Sequence, residues 1–124
     1  MLSELVLCSI SKNKLYSKIY TESHQGTYVS YLRGTRCVDE TVFFHEVSAS
    51  FQFPCYFGEN WAALDECLCD LDWLQFDRVF IAVDDFGLSF NGNKKLQALL
   101  IKYFTFMVEH WKKEGVPVTV WLNN

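Results

Sequence analysis

Between residues 59 and 70 the chain places four carboxylates, Glu59, Asp65, Glu66 and Asp70, beside three aromatic rings, Tyr56, Phe57 and Trp61. Ionised carboxylates accept charge-assisted hydrogen bonds and match the forked geometry of arginine. Tyrosine and tryptophan add contact area with few rotatable bonds to freeze. Together these groups suit a surface that meets a basic partner.

A specific local structure must present them. Residues 53–58 read as an aromatic loop closed by Gly58, a residue with no side chain to oppose a left-handed turn. Asn60 is a good N-cap, since its side-chain oxygen can accept from the first free backbone N–H groups of a helix. The helix is predicted over Trp61–Leu71. Trp61, Leu64, Leu68 and Leu71 recur at helical spacing and form its buried stripe. Glu59, Ala62, Asp65, Glu66, Cys69 and Asp70 fall on the other side.

Charge along the chain sharpens this reading. The whole chain has a net charge of −4, yet residues 38–77 contain nine acids and no Lys or Arg. The remainder is net positive. Such asymmetry implies a one-signed field over part of the surface, which steers partners of opposite charge. Phosphates would be repelled, so nucleic acid is not expected to bind this face directly.

Other constellations carry less. Asp84 and Asp85 end an apolar run, where ligands of open α/β sheets bind. With no third ligand nearby in sequence, they read as a polar strand exit more readily than as a metal or catalytic site. Cys67 and Cys69 lack zinc-pair spacing, and on a helix their side chains diverge by about 200°. His24, His45 and His110 are dispersed, and nothing places a histidine beside Cys55 as a nucleophile's base. Phosphate-binding glycine motifs are absent. No cofactor and no metal are expected, and the chain does not read as an enzyme.

The elements alternate between strand and helix. Leu5–Ile10 and Leu15–Thr21 read as two short strands joined by a polar turn at residues 11–14. Thr27–Arg33 reads as a strand stopped by Gly34, and Asp39–Phe51 as a helix. The run at Arg78–Val83 suits a strand buried on both faces. Asn91-Gly92-Asn93 marks a turn. Lys94–Lys113 keeps helical spacing through Leu96, Leu99, Leu100, Tyr103, Met107 and Trp111, with Gly115 as the C′ residue and Pro117 beyond. Val116–Leu122 is the last strand. The order favours an α/β fold with a three-stranded parallel core sheet and crossover helices. Residues 1–26 are expected to add an edge hairpin, and residues 1–124 to form a single domain of ordinary size.

The run Pro54, Tyr56, Phe57, Gly58, Glu59, Asn60, Ala63, Leu64, Cys67 and Leu68 resembles the helix signature of the barstar family of ribonuclease inhibitors. Glu114-Gly115 and the following V-P-V-T-V-W-L are similar to that family's final turn and strand. The resemblance covers roughly residues 27–123 and implies a barstar-like fold. It also implies an inhibitor, a bacterial antitoxin or immunity protein, that plugs the basic active site of a small toxic ribonuclease in a 1:1 complex. By the same resemblance, Tyr56, Asn60 and Trp61 stand at contact positions, and Glu66 stands where the family has its central aspartate. Ala62 replaces another aspartate, Asp65 an aromatic and His110 an acid, while Glu114 matches. The departures imply a toxin different from the family's usual one. An immunity protein against another kind of toxin, binding through another face, is the alternative, and a small metal-dependent enzyme using Asp84 and Asp85 a more distant one.

Half the residues are apolar and 17% aromatic, which excludes a disordered chain. No apolar stretch reaches the roughly 20 residues that cross a bilayer. The start lacks the basic and apolar regions of a secretory signal. Five scattered cysteines do not make a disulfide framework. Residence in a reducing cytoplasm is the expectation.

Overall fold

The computed structural model describes residues 3–124. Four parallel strands form its sheet: β1 (Glu4–Cys8), β2 (Thr27–Arg33), β3 (Arg78–Asp84) and β4 (Val118–Asn123), in the spatial order β1-β4-β3-β2. Four α-helices connect them: α1 (Lys12–Glu22), α2 (Glu40–Phe51), α3 (Trp61–Leu68) and α4 (Lys94–Lys113). Parallel neighbours require crossovers, and helices supply them here.

The central strand β3 is buried along almost its whole length, as its unbroken apolar run predicts. Val79, Ile81 and Val83 point to one side, in register with Val118, Val120 and Leu122 of β4. On that side they meet Phe43 and Val47 of α2, Leu64 and Leu68 of α3, and Phe104 and Met107 of α4. Phe80 and Ala82 point to the other side and meet Leu15 of α1. The main core therefore lies between the sheet and α2, α3 and α4, with a smaller one under α1.

Two expectations are corrected at the N-terminus. The sheet has four strands, not three, and residues 1–26 do not contribute a hairpin among the described residues. A strand is followed instead by a helix. Ser11 is the N-cap, its hydroxyl accepting from the Lys14 amide at 3.2 Å, so residues 11–14 open a helix rather than turn a hairpin. Leu15 and Ile19, four apart, fall on one helical face and pack on the sheet. The stretch had the Tyr and Ile content of a strand, but the cap and this spacing prevail.

Boundaries elsewhere shift by a few residues. Helix α3 stops at Leu68 rather than Leu71. Leu71 takes a left-handed conformation (φ 50°) and still buries its side chain at the core. Strand β4 begins at Val118 instead of Val116. Gly115 follows α4 with φ 78°, as its assignment as the C′ residue requires.

Candidate functional site

Helix α2 ends at Gln52, whose left-handed backbone (φ 54°) turns the chain into the aromatic loop. Phe53 stacks on Phe51 with ring centroids 5.9 Å apart, and Phe57 meets Phe53 edge-on at 4.8 Å. Trp73 closes the same region by donating its indole N–H to the Phe51 carbonyl at 2.8 Å. A tight turn, with the Phe57 amide bonded to the Pro54 carbonyl, lies between the two inward phenylalanines. Tyr56 is forced outward by that turn and is 70% exposed.

Asn60 then starts α3 as its sequence context predicts. Its side-chain oxygen accepts from the Ala63 amide at 2.8 Å, and its NH₂ donates to the Gly58 carbonyl at 3.1 Å. The left-handed residue of this turn is Glu59 (φ 51°) and not Gly58. Gly58 instead leaves room for the cap. A Cβ there would lie 3.2 Å from the side-chain nitrogen of Asn60, a tight contact that the cap would have to shift slightly to relieve. Glu59 pairs with His45 of α2 at 2.7 Å, both side chains being largely exposed.

Trp61 is half-buried and belongs to both core and surface. It stacks on Phe43 at 5.5 Å and on Tyr103 of α4 at 5.5 Å, and its N–H donates to Glu40 at 2.7 Å. Leu64, Cys67 and Leu68 form the buried stripe. Ala62 and Glu66 are exposed on the opposite side. Asp65 is half-buried and accepts a long bond from the Cys69 thiol, while Asp70 is exposed just past the helix end.

These pieces enclose a cavity of about 90 Å³ lined by Tyr56, Phe57, Gly58, Ala63, Glu66, Cys67 and Asp70. Its field is negative. Partial desolvation, then the carboxylates of Asp70 and Asp72, push the Tyr56 phenol above its ordinary value. Burial, then Asp70 and Glu66, push up the Cys67 thiol. Burial and Asp65 raise Cys69 to about 11. Among the described residues, the side chains of Glu66, Asp70 and Asp72 make no hydrogen bond or ion pair. A cationic side chain from outside fits such a cavity, with carboxylates at its rim and a phenol ring at its wall.

His110 and Glu114 lie at the far end of α4. The neighbouring Trp111 donates its N–H to the Leu68 carbonyl at 2.8 Å, which ties this turn of α4 to the end of α3. His110 meets the Trp111 ring edge-on at 5.2 Å, and Glu114 is exposed at the helix C-cap.

A second polar cluster, not legible in the sequence, sits at the ends of β3 and β4. Asp84 is buried, and its carboxylate accepts from Lys12 at 2.7 Å, from the Asp85 amide at 2.9 Å and from Asn123 at 3.3 Å. Lys12 also bonds Asp85 at 2.8 Å. Burial works against the charge on Asp84, but these donors outweigh it and hold its carboxyl below the ordinary range. Asn123 further bonds both backbone groups of Ile10. The cluster thus fastens the β1–α1 segment to the sheet. No group of three or more His, Cys, Asp and Glu that could hold a metal occurs among the described residues. No helix among them is long and apolar enough to cross a membrane.

Residues 27–123 match the family model described as Barstar (barnase inhibitor). β1 and α1 precede the matched span. No curated protein matches the chain.

Proposed function

The chain belongs to the barstar family, and from that premise we propose that it is a protein inhibitor of a toxic ribonuclease, an immunity protein acting in the cytoplasm through a 1:1 complex. The observation that carries this reading is the cavity between Tyr56 and the free carboxylates of Glu66 and Asp70. A ribonuclease site gathers cationic groups to bind phosphate and stabilise developing charge. Carboxylates placed on a rigid helix can occupy the phosphate positions. Tyr56, Phe57 and Gly58 shape the wall, while Asn60 holds the helix start, and Glu59, Trp61, Ala62, Asp65, His110 and Glu114 surround the contact.

Ala62 offers no charge where the family has an aspartate, and Asp70 adds one beyond the helix end. The carboxylates are therefore shifted toward the C-terminal end of α3. The inhibited enzyme should carry its cations in a correspondingly displaced pattern. Asp84 and Asp85 do not support an enzymatic reading, since Lys12 engages both.

The test is inhibition of RNA cleavage by a panel of small basic ribonucleases, barnase among them. Stoichiometric inhibition of at least one, lost in Glu66→Ala, is expected. A panel with no inhibited member would overturn the reading.

A further inference from the structure

The carboxylates of α3 have a neighbour that the motif does not describe. Along α4, Tyr103, Phe106, His110 and Glu114 recur at three- and four-residue intervals and so share one flank of the helix. Tyr103 stacks on Trp61, which places that flank beside the first turn of α3. Phe106 meets Tyr103 edge-on at 5.7 Å and is 45% exposed, while Phe104 two residues earlier is fully buried. The Lys102 ammonium lies over both rings, 5.4 Å from that of Tyr103 and 5.7 Å from that of Phe106. Lys102 has no ion pair among the described residues.

We propose that Tyr103, Phe106 and Lys102 form a second half of the binding face, which docks an apolar, carboxylate-edged rim beside the partner ribonuclease's basic site. The inference rests on the inhibitor reading and extends it to a surface of opposite charge. Two features favour this occupant over bare solvent. The aromatic surface is continuous with α3 through Trp61, and tyrosine and phenylalanine with exposed area are enriched where interfaces form. The Lys102 ammonium over its rings calls for a carboxylate, which the acidic half of the face would repel. A face with one acidic and one cationic pole accepts its partner in one orientation only, because the reversed pose juxtaposes like charges.

Phe106→Ala and Lys102→Glu remove the two components from exposed positions, so neither should prevent folding. Tyr20→Ala, on α1, is the control, since Tyr20 is 83% exposed and lies outside the face. Each protein is titrated against every ribonuclease in the panel that the unaltered chain inhibits, with Glu66→Ala alongside. The expected result is a dissociation constant at least about tenfold weaker for Phe106→Ala and for Lys102→Glu, with Tyr20→Ala unchanged. Unaltered affinity in either variant, with Glu66→Ala weakened, overturns the second half of the face and leaves the inhibitor reading standing. If no ribonuclease in the panel is inhibited, both fall.

Discussion

At the scale of single residues, the loop before α3 divides its aromatics by direction. Phe53 and Phe57 turn inward, and Tyr56 between them turns out. Tyr56→Ala is therefore expected to lower affinity for the inhibited ribonuclease more than it lowers the melting temperature. A variant that melts much earlier yet binds normally when folded would assign Tyr56 to the core. Glu66→Ala should weaken binding at least about tenfold by calorimetry, because truncating one partner of a desolvated charge pair costs about 2–5 kcal/mol. Asn60 acts differently. Its side chain is used twice within the turn, so Asn60→Ala should cost about 0.5–2 kcal/mol in denaturant unfolding through loss of the cap. That cap was legible in the sequence, because Asn before an apolar periodic run has one common use. The contact of Glu59 with His45 was not, because it joins residues from two elements whose approach depends on the fold.

At the scale of elements, α3 is short and holds its position through one buried stripe. Leu64 and Leu68 are fully buried against α2, α4 and the sheet. Leu64→Ala should destabilise by about 2–5 kcal/mol in chemical unfolding, with any loss of inhibition following from the unfolded fraction. The helices and β3 could be read from periodicity, since their apolar stripes are long. The segment holding α1 could not, because its Tyr and Ile suit a strand and only the Ser11 cap and the Leu15–Ile19 spacing argue against one. Its anchor was equally hidden, since Lys12 and Asp84 are far apart in sequence. Lys12→Met should leave the buried Asp84 carboxylate without its charged donor, although the Asp85 amide and Asn123 remain, and so lower stability at neutral pH. Because the folded Asp84 carboxyl sits below its ordinary 3.8, its contribution is present above that value and is lost as pH falls through the folded one. The stability gap between the unaltered protein and Lys12→Met should therefore narrow on acidification. A gap constant from neutral to acid pH would show that Lys12 does not stabilise Asp84 through charge.

At the scale of the whole molecule, the acids of residues 38–77 divide into those that the fold pairs and those that it leaves unpaired. Asp39 and Glu40 are used at the start of α2, as an N-cap and as the acceptor for Trp61. Glu59 is shared with His45. Among the described residues, Glu66, Asp70 and Asp72 remain free of such partners; Glu66 and Asp70 line the cavity, and Asp72 acts on the Tyr56 phenol at its wall. Lys14 and Lys18 lie on α1, which packs on the other face of the sheet and where Lys18 pairs with Glu22, while the five lysines of α4 share the side of α3. A molecule with a negative patch orients in the field of a basic enzyme before contact and associates faster than an unsteered one. This predicts a kinetic signature. The Debye length shrinks from about 30 Å at 0.01 M salt to about 10 Å at 0.1 M, which confines the field to near contact. Stopped-flow association with an inhibited ribonuclease should slow markedly over that range, while dissociation, governed by contacts already formed, changes little. Removing Asp70 and Asp72 together should flatten the salt dependence, since both lie beside Tyr56 and neither is needed for the helix cap or the buried stripe. Association rates that stay constant with salt in the unaltered chain would mean that docking is driven by apolar contact, with the acids contributing only after the two surfaces meet.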